Sequence, residues 1–223
     1  MNLSAAEVPS KKRRSLSVEE ELANSISHGL GLLLAIVSLI VLLLSASRMG
    51  SRNFFVGVSV FGGTMVLLYL ASTLYHSLTH QRAKHCFRLL DHSAIFLLIA
   101  GTYTPFAVGV LRGPWGWALL TIVWILAALG IALKAIFGTN HSWISIVLYI
   151  LMGWLAVVAV KPIFLLVPLP GILWILVGGI FYTSGLAFFA APRLRYAHFI
   201  WHLFVMAGST CHFFAVLWYA AEP

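Results

Sequence analysis

Seven apolar runs, each long enough to cross a lipid bilayer, constrain this chain more than any other feature of its sequence. A helix needs about 20 residues, at a rise of about 1.5 Å each, to cross the roughly 30 Å hydrocarbon layer. The predicted helices occupy 25–46, 54–78, 91–111, 115–136, 143–161, 169–190 and 197–220. The runs are continuously apolar rather than alternating, which excludes the strands of a membrane barrel. We therefore predict an all-α fold, a bundle of seven transmembrane helices.

Charged residues lie mainly at the ends of the chain and in the short links between the runs. We interpret residues 1–20 as a disordered or interfacial tail and residues 21–223 as the membrane domain. Five of the six acidic residues lie in the first 21 or the last two positions, so Asp91 is the single acid in the middle of the chain. The net charge is +8, but the basic residues are scattered between apolar runs, which argues against a nucleic-acid partner.

The distribution of lysine and arginine predicts how the bundle is oriented. With the amino terminus in the cytoplasm, ten of these residues fall on the inner side and four on the outer side. Positive charge is retained on the cytoplasmic side of membrane proteins. We therefore expect a cytoplasmic amino terminus and an outer carboxyl terminus.

Polar side chains that are out of place in lipid gather at predicted helix ends on the cytoplasmic side. The second helix ends with Ser72 and His76, the third opens with Asp91, and the seventh opens with His198 and His202. Residues four apart lie on one face of a helix, so each pair can point at a common centre. Three imidazoles, one carboxylate and one hydroxyl can therefore meet at one place.

Such a set of side chains suits a catalytic zinc site. Three neutral imidazoles and a water complete a common zinc coordination shell. Asp91 would then accept a hydrogen bond from that water, and Ser72 could stabilise an oxyanion. A single histidine in a membrane helix commonly hydrogen-bonds another helix instead. The spacing alone leaves both interpretations open.

Other polar residues take secondary places in this interpretation. Glu21, Asn24 and His28 form a polar stripe on the first helix. The stripe could cap and pack the helix or could support the zinc site, and the sequence favours neither role. His212 lies about 15 Å beyond His202 along its helix, too far to bind the same ion. For His212 we favour an interhelical hydrogen bond over a role in substrate passage.

The remaining histidines are assigned outside the site. His92 follows Asp91 and points about 100° away from it on the same helix. The others are placed in polar loops: His80, His85 and His141.

Three motifs, in this order, resemble those of a known family. They are Glu21-x2-Asn24-x2-Ser27-His28, Ser72-x3-His76 followed by Asp91, and His198-x3-His202 with His212 beyond. They are similar to the haemolysin III family, the bacterial branch of the progestin and adipoQ receptor superfamily. The resemblance spans essentially the whole membrane part of the chain. It implies a multi-pass protein of the cell membrane with zinc held by His76, His198 and His202, beside Asp91 and Ser72.

The resemblance also frames three functional hypotheses. Relatives in the superfamily include ceramide-hydrolysing receptors and alkaline ceramidases, which implies a zinc hydrolase acting on an amide or ester of a membrane lipid. A second hypothesis is a non-enzymatic sensor or membrane-homeostasis protein in which zinc is structural. The third is a pore-forming cytolysin, although seven apolar helices offer no continuous polar lining.

Overall fold

The computed structural model describes residues 14, 16–139 and 142–221, and every regular element in them is helical. The α-helices are Val18–Met49 (α1), Arg52–Ser77 (α2), Gln81–Val108 (α3), Pro114–Phe137 (α4), Ser142–Gly153 (α5), Val160–Leu166 (α6), Leu169–Phe189 (α7) and Ala197–Tyr219 (α8). A short 3-10 segment, Leu155–Ala159, joins α5 to α6. Within these residues, six helical stretches are long and apolar enough to cross a membrane: α1, α2, α4, the path Trp143–Leu166, α7 and α8.

The surface of the bundle is apolar in the way that a lipid environment requires. Leucine, isoleucine and valine side chains point outward along α1, α4 and α7, whereas α2 and α8 are about half buried. Such continuous apolar surface would be unfavourable in water but matches the hydrocarbon of a bilayer. The chain is therefore an all-helical, multi-pass membrane protein.

The helices are arranged in a ring. In it, α2 lies between α1 and α3, α3 also packs on α4, and α8 packs on both α1 and α7. The path from α5 to α6 contacts α3, α4 and α7 and closes the ring. Packing between α2 and α3 is tight, because a Cβ on Gly57 would lie 2.7 Å from the Cα of Pro105. This arrangement leaves interior space between α3, α8 and the α5–α6 path.

Helix α1 begins at Val18, earlier than the predicted start at residue 25. Ser17 and Glu20 form a capping box, in which each side chain binds the backbone N–H of the other residue. This motif is a known start signal for helices. Glu19 and Glu20, which were assigned to the tail, therefore belong to the helix.

Helix α3 begins at Gln81, and the prediction of a start at residue 91 is wrong. The side chain of His80 accepts a hydrogen bond from the N–H of Ala83 and caps the helix. The charged residues that follow were assigned to a loop, but arginine, lysine, alanine and leucine all have high helix propensity. Asp91 consequently lies within α3 and not at its first turn. His80 caps this helix, and His85 lies within it as an exposed residue.

The predicted helix over 143–161 is interrupted, because α5 ends at Gly153 and the 3-10 segment follows. The Tyr103 hydroxyl on α3 donates to the carbonyl of Met152 at 2.8 Å and accepts the N–H of Ala156 at 3.0 Å. Backbone groups freed inside a membrane protein need such partners, because lipid offers none. The break therefore depends on a side chain from a different helix.

Candidate metal centre

Three imidazoles converge at the end of the bundle where α2 finishes and α8 begins. His76 lies in the last turn of α2, and His198 and His202 lie in the first two turns of α8. One ring nitrogen from each lies within 4.8 Å of the others, and the ring centroids are 4.6–5.1 Å apart. We call these three residues the histidine site. Their geometry could hold one metal ion.

The orientation of His76 is set by a carboxylate on α1. Its Nδ1 lies 2.6 Å from Oε2 of Glu21, and Oε1 of Glu21 accepts a hydrogen bond from Lys84 at 2.8 Å. Metal-binding histidines commonly use their second nitrogen in this way, because it fixes the ring and its tautomer. Since Nδ1 is occupied, Nε2 of His76 is the nitrogen left for a metal ion.

His202 is oriented by α1 as well. Its Nδ1 lies 3.2 Å from the Ser27 hydroxyl and 3.2 Å from the backbone oxygen of Asn24. The ring of His28 stacks on that of His202, with centroids 3.4 Å apart and planes at 11°. Residues of the polar stripe on α1 therefore contact two histidines of the site, His76 and His202.

Several buried polar atoms at this place have no hydrogen-bond partner within the described ranges. They are Nε2 of His76, Nε2 of His198, both ring nitrogens of His28 and the side-chain amide of Asn24. A buried polar atom without a partner costs about 1–3 kcal/mol, so native proteins normally supply one. A metal ion with ordered water would satisfy such atoms. The residues present therefore fit a metal centre.

Asp91 and Ser72 lie beside the histidine site, and both are buried. The Asp91 carboxyl adjoins Ser72 and lies within electrostatic range of His76 and of Arg88, one turn earlier on α3. A cavity of about 10 Å³ borders Asp91, His198 and His202. A space of this size admits about one water molecule.

His92 remains outside this cluster. The ring of His92 packs against Phe189, and its backbone oxygen accepts the Tyr149 hydroxyl at 2.8 Å. Within the described ranges, the group of candidate ligands comprises the three histidines of the site. The prediction for His141 falls outside the described residues.

Glu20 is a site residue that the sequence analysis missed. It is buried, and its Oε1 accepts the backbone N–H of Tyr196 at 2.8 Å as well as a hydrogen bond from Arg14. Tyr196 directly precedes α8 and has a left-handed backbone with φ of 58°, which is uncommon for a residue with a side chain. Glu20 thus fixes the turn that places His198. The capping signature Ser17-x2-Glu20 was the available signal, but it did not reveal this long-range partner.

A larger cavity of about 130 Å³ lies next to the smaller one, further into the bundle. Leu68, Ile95, Trp201 and Val205 line both this cavity and the smaller one. The wall is mostly apolar and includes Ile150 and Trp154, whose side chains are also exposed on the outer surface. The site therefore adjoins an apolar space, part of whose wall also faces the outside of the bundle.

His212 lies on the wall of the larger cavity. The sequence analysis favoured an interhelical hydrogen bond for this residue. In the described residues it instead stacks on the ring of Tyr182, with centroids 5.3 Å apart, and makes no hydrogen bond.

The fold and the site together define a multi-pass membrane protein with a buried histidine centre. The sequence matches the haemolysin-III related family over residues 16–213. Hemolysin-3 of Bacillus cereus is 48% identical over 207 residues, covering 93% of this chain and 94% of that protein. The Hemolysin-3 homolog of Bacillus subtilis strain 168 is 44% identical over 206 residues, covering 92% and 97%. The chain therefore belongs to the haemolysin III family.

A more distant relative lies in animals. The human monocyte to macrophage differentiation factor is 25% identical over 163 residues, which cover 70% of this chain and 67% of that protein. The family resemblance inferred from the motifs is thus confirmed, and the bacterial relatives indicate the cell membrane.

Replacing Glu20 by Ala should lower the thermal unfolding temperature of the purified protein. The variant loses the capping box and leaves the Tyr196 N–H without its acceptor, and together these changes cost about 1–3 kcal/mol. Glu19→Ala is the matched control, because Glu19 is exposed and adjacent in sequence. Equal unfolding temperatures for the two variants, measured by differential scanning fluorimetry in detergent, would contradict this role of Glu20.

Proposed function

We propose that this protein is a zinc-dependent hydrolase of a lipid amide or ester. The observation that carries the proposal is the combination of three converging imidazoles, which could bind one metal ion, with a buried carboxyl, a hydroxyl and an adjoining apolar cavity. Three nitrogen ligands leave one position of a tetrahedral zinc shell open, which is typical of catalytic zinc. A shell closed by protein ligands would instead be typical of structural zinc.

His76, His198 and His202 would hold the metal. When bound, zinc would lower the pKa of a coordinated water to about 7 and so supply a nucleophile at neutral pH. Asp91 would accept the proton of the attacking water and return it to the leaving nitrogen or oxygen. Ser72 would donate a hydrogen bond to the oxyanion that forms when the water adds to the substrate carbonyl.

The larger cavity suits the acyl chain of such a substrate. It adjoins the smaller cavity at the histidine site, its wall is mostly apolar, and it includes Ile150 and Trp154, whose side chains are also exposed on the outer surface. An apolar cavity of roughly 150 Å³ can remain dry and bind an apolar molecule. Membrane lipids are thus the proposed partners, and the chain would enter sideways from the bilayer.

The proposal includes seven membrane crossings, with α3 as the additional one, and a cytoplasmic amino terminus. Helix α3 has 28 residues and packs between α2 and α4, but its first half carries Arg82, Lys84, Arg88 and Asp91. The excess of lysine and arginine on that side supports a cytoplasmic position for the histidine site.

Cysteine labelling tests this orientation. Cys86 is exposed near the start of α3, whereas Cys211 is buried. A membrane-impermeant maleimide should label Cys86 in lysed cells but not in intact cells. In a Cys86→Ser background, Arg48→Cys at the opposite end of α1 should be labelled in intact cells. The reverse pattern would contradict the orientation.

A non-enzymatic role for the metal is the second candidate. The histidine site joins the end of α2 to the start of α8, and Glu21 joins α1 to both α2 and α3. A metal ion at this place would tie helix ends together and raise stability. This role predicts metal-dependent stability without hydrolysis.

Replacing His202 by Ala should remove most of the bound zinc, because loss of one of three protein ligands commonly destroys such a site. His85→Ala is the matched control, since His85 is exposed on α3 and lies outside the candidate ligand group. Zinc per protein is measured by mass spectrometry of the metal. Stoichiometric zinc in the His202→Ala protein would refute the ligand assignment.

Replacing Asp91 by Asn separates the two candidate roles. The variant should retain measurable zinc, because Asp91 is proposed to act on the water and not on the metal. Fatty-acid release from a panel of ceramides and phospholipids should fall by about 100-fold or more, the usual contribution of a general base. No release by zinc-loaded wild type would refute the hydrolase, and complete zinc loss in Asp91→Asn would indicate a closed, structural shell.

A further inference from the structure

The larger cavity follows α8 away from the histidine site. Trp201, Val205 and His212 line it from the same helix, a distance of about 16 Å at 1.5 Å per residue. Near the site the wall is apolar, with Leu68, Ile95 and Val205. His212 places a polar ring at the far part of this space.

His212 is held in position by its neighbours on α7. Its ring lies on that of Tyr182 at an angle of 17°. A Cβ on Gly178 would lie 2.8 Å from Nε2 of His212, so the glycine leaves the room that the imidazole occupies. The Tyr182 hydroxyl lies 3.0 Å from the hydroxyl of Ser209, which also accepts a hydrogen bond from Tyr69 at 3.0 Å. The tyrosine hydroxyl is thus engaged away from His212.

The imidazole of His212 consequently has hydrogen-bonding capacity that the described protein does not use. The residue is 9% exposed, and its side chain makes no hydrogen bond within the described ranges. A polar group buried in an apolar place costs free energy unless something pairs with it. The cavity is where such a group can reach it.

We propose that His212 hydrogen-bonds a hydroxyl group on the acyl chain of the ligand and thereby selects hydroxylated chains. A neutral imidazole has one donor and one acceptor nitrogen, so it can pair with a hydroxyl in either direction. This inference rests on the proposed function, because it takes the cavity as the place where the acyl chain lies.

The position of His212 specifies where on the chain the hydroxyl should be. His212 lies ten residues beyond His202, or about 15 Å along α8. With carbon–carbon bonds of about 1.5 Å in a zigzag, an extended chain with its carboxyl group at the histidine site reaches His212 at about carbon 12. A hydroxyl close to the carboxyl group would lie beside apolar side chains instead.

Competition between fatty acids tests the proposal. Zinc-loaded full-length protein in nanodiscs is offered equal amounts of octadecanoic acid and its analogue with a hydroxyl at about carbon 12. Native mass spectrometry gives the ratio of the two bound acids. We expect the hydroxylated acid to be favoured about three- to tenfold more by wild type than by His212→Leu, which is the range of one net hydrogen bond. Comparing the ratio between proteins cancels the different partitioning of the acids into lipid.

Two further variants and one further acid make the result specific. His212→Gln, which keeps a polar group, should retain part of the preference, whereas Gly178→Ala should reduce it by displacing the imidazole. Thr210→Val is the control, because Thr210 is exposed on the same helix and its hydroxyl donates to the backbone carbonyl of Met206, one turn earlier. An analogue with its hydroxyl next to the carboxyl group should gain nothing from His212.

The outcomes separate this inference from the hydrolase. An unchanged ratio in His212→Leu, or no binding of either acid, would overturn the inference and would indicate that a water alone satisfies His212. A His212-dependent preference without any hydrolytic activity would support the inference and remove the hydrolase. Hydrolysis of unsubstituted chains, without a preference for hydroxylated ones, would support the hydrolase and overturn the inference about His212.

Discussion

Two neighbouring carboxylates at the start of α1 hold together the helix ends that form the histidine site. Glu21 binds His76 on α2 and Lys84 on α3, and Glu20 binds the backbone of Tyr196 just before α8. Each contact pairs a charged oxygen with a nitrogen donor or a histidine at a distance of 2.6–2.8 Å. Charge-assisted hydrogen bonds of this kind are the stronger ones, and they gain strength where water is scarce. The orientation of His76 and the turn that precedes His198 depend on them.

These contacts also explain why polar residues are tolerated in so apolar a chain. Ionisable groups inside a membrane bundle are expensive unless they pair with one another or serve a site. Here they are gathered at one end of the bundle, while the outer faces of α1, α4 and α7 are apolar. Hydrogen bonds and ion pairs among these side chains therefore offset part of the free energy that their burial costs. A metal ion would bind the histidine nitrogens that remain unpaired.

The sequence predicts the parts of this structure that depend on local pattern. Long apolar runs indicate membrane helices, and the spacing of His198 and His202 places both rings on one face of α8. Because successive helices alternate in direction, the sequence also predicts that the end of α2 and the start of α8 lie on the same side of the bundle, where His76 meets these two residues. The stripe of Glu21, Asn24 and His28 indicates a polar face, but its contacts with α2 and α8 depend on tertiary packing and are not predicted by the spacing.

The sequence does not predict features that depend on distant partners. The break between α5 and α6 is stabilised by Tyr103 from α3, and the role of Glu20 depends on a residue far along the chain. The early start of α3 was missed because its charged first turns resemble a loop in composition. His212 shows the same limit, since an isolated histidine in a helix does not indicate whether it faces a neighbour or a cavity.

X-ray absorption spectroscopy at the metal edge of the purified protein tests the central claim most directly. The account predicts zinc at one per chain, with three histidine nitrogens and one further oxygen at about 2.0–2.2 Å. The presence of an oxygen that exchanges with solvent would agree with an open position. Sulfur at about 2.3 Å, or a protein without stoichiometric metal, would contradict a metal centre built from His76, His198 and His202.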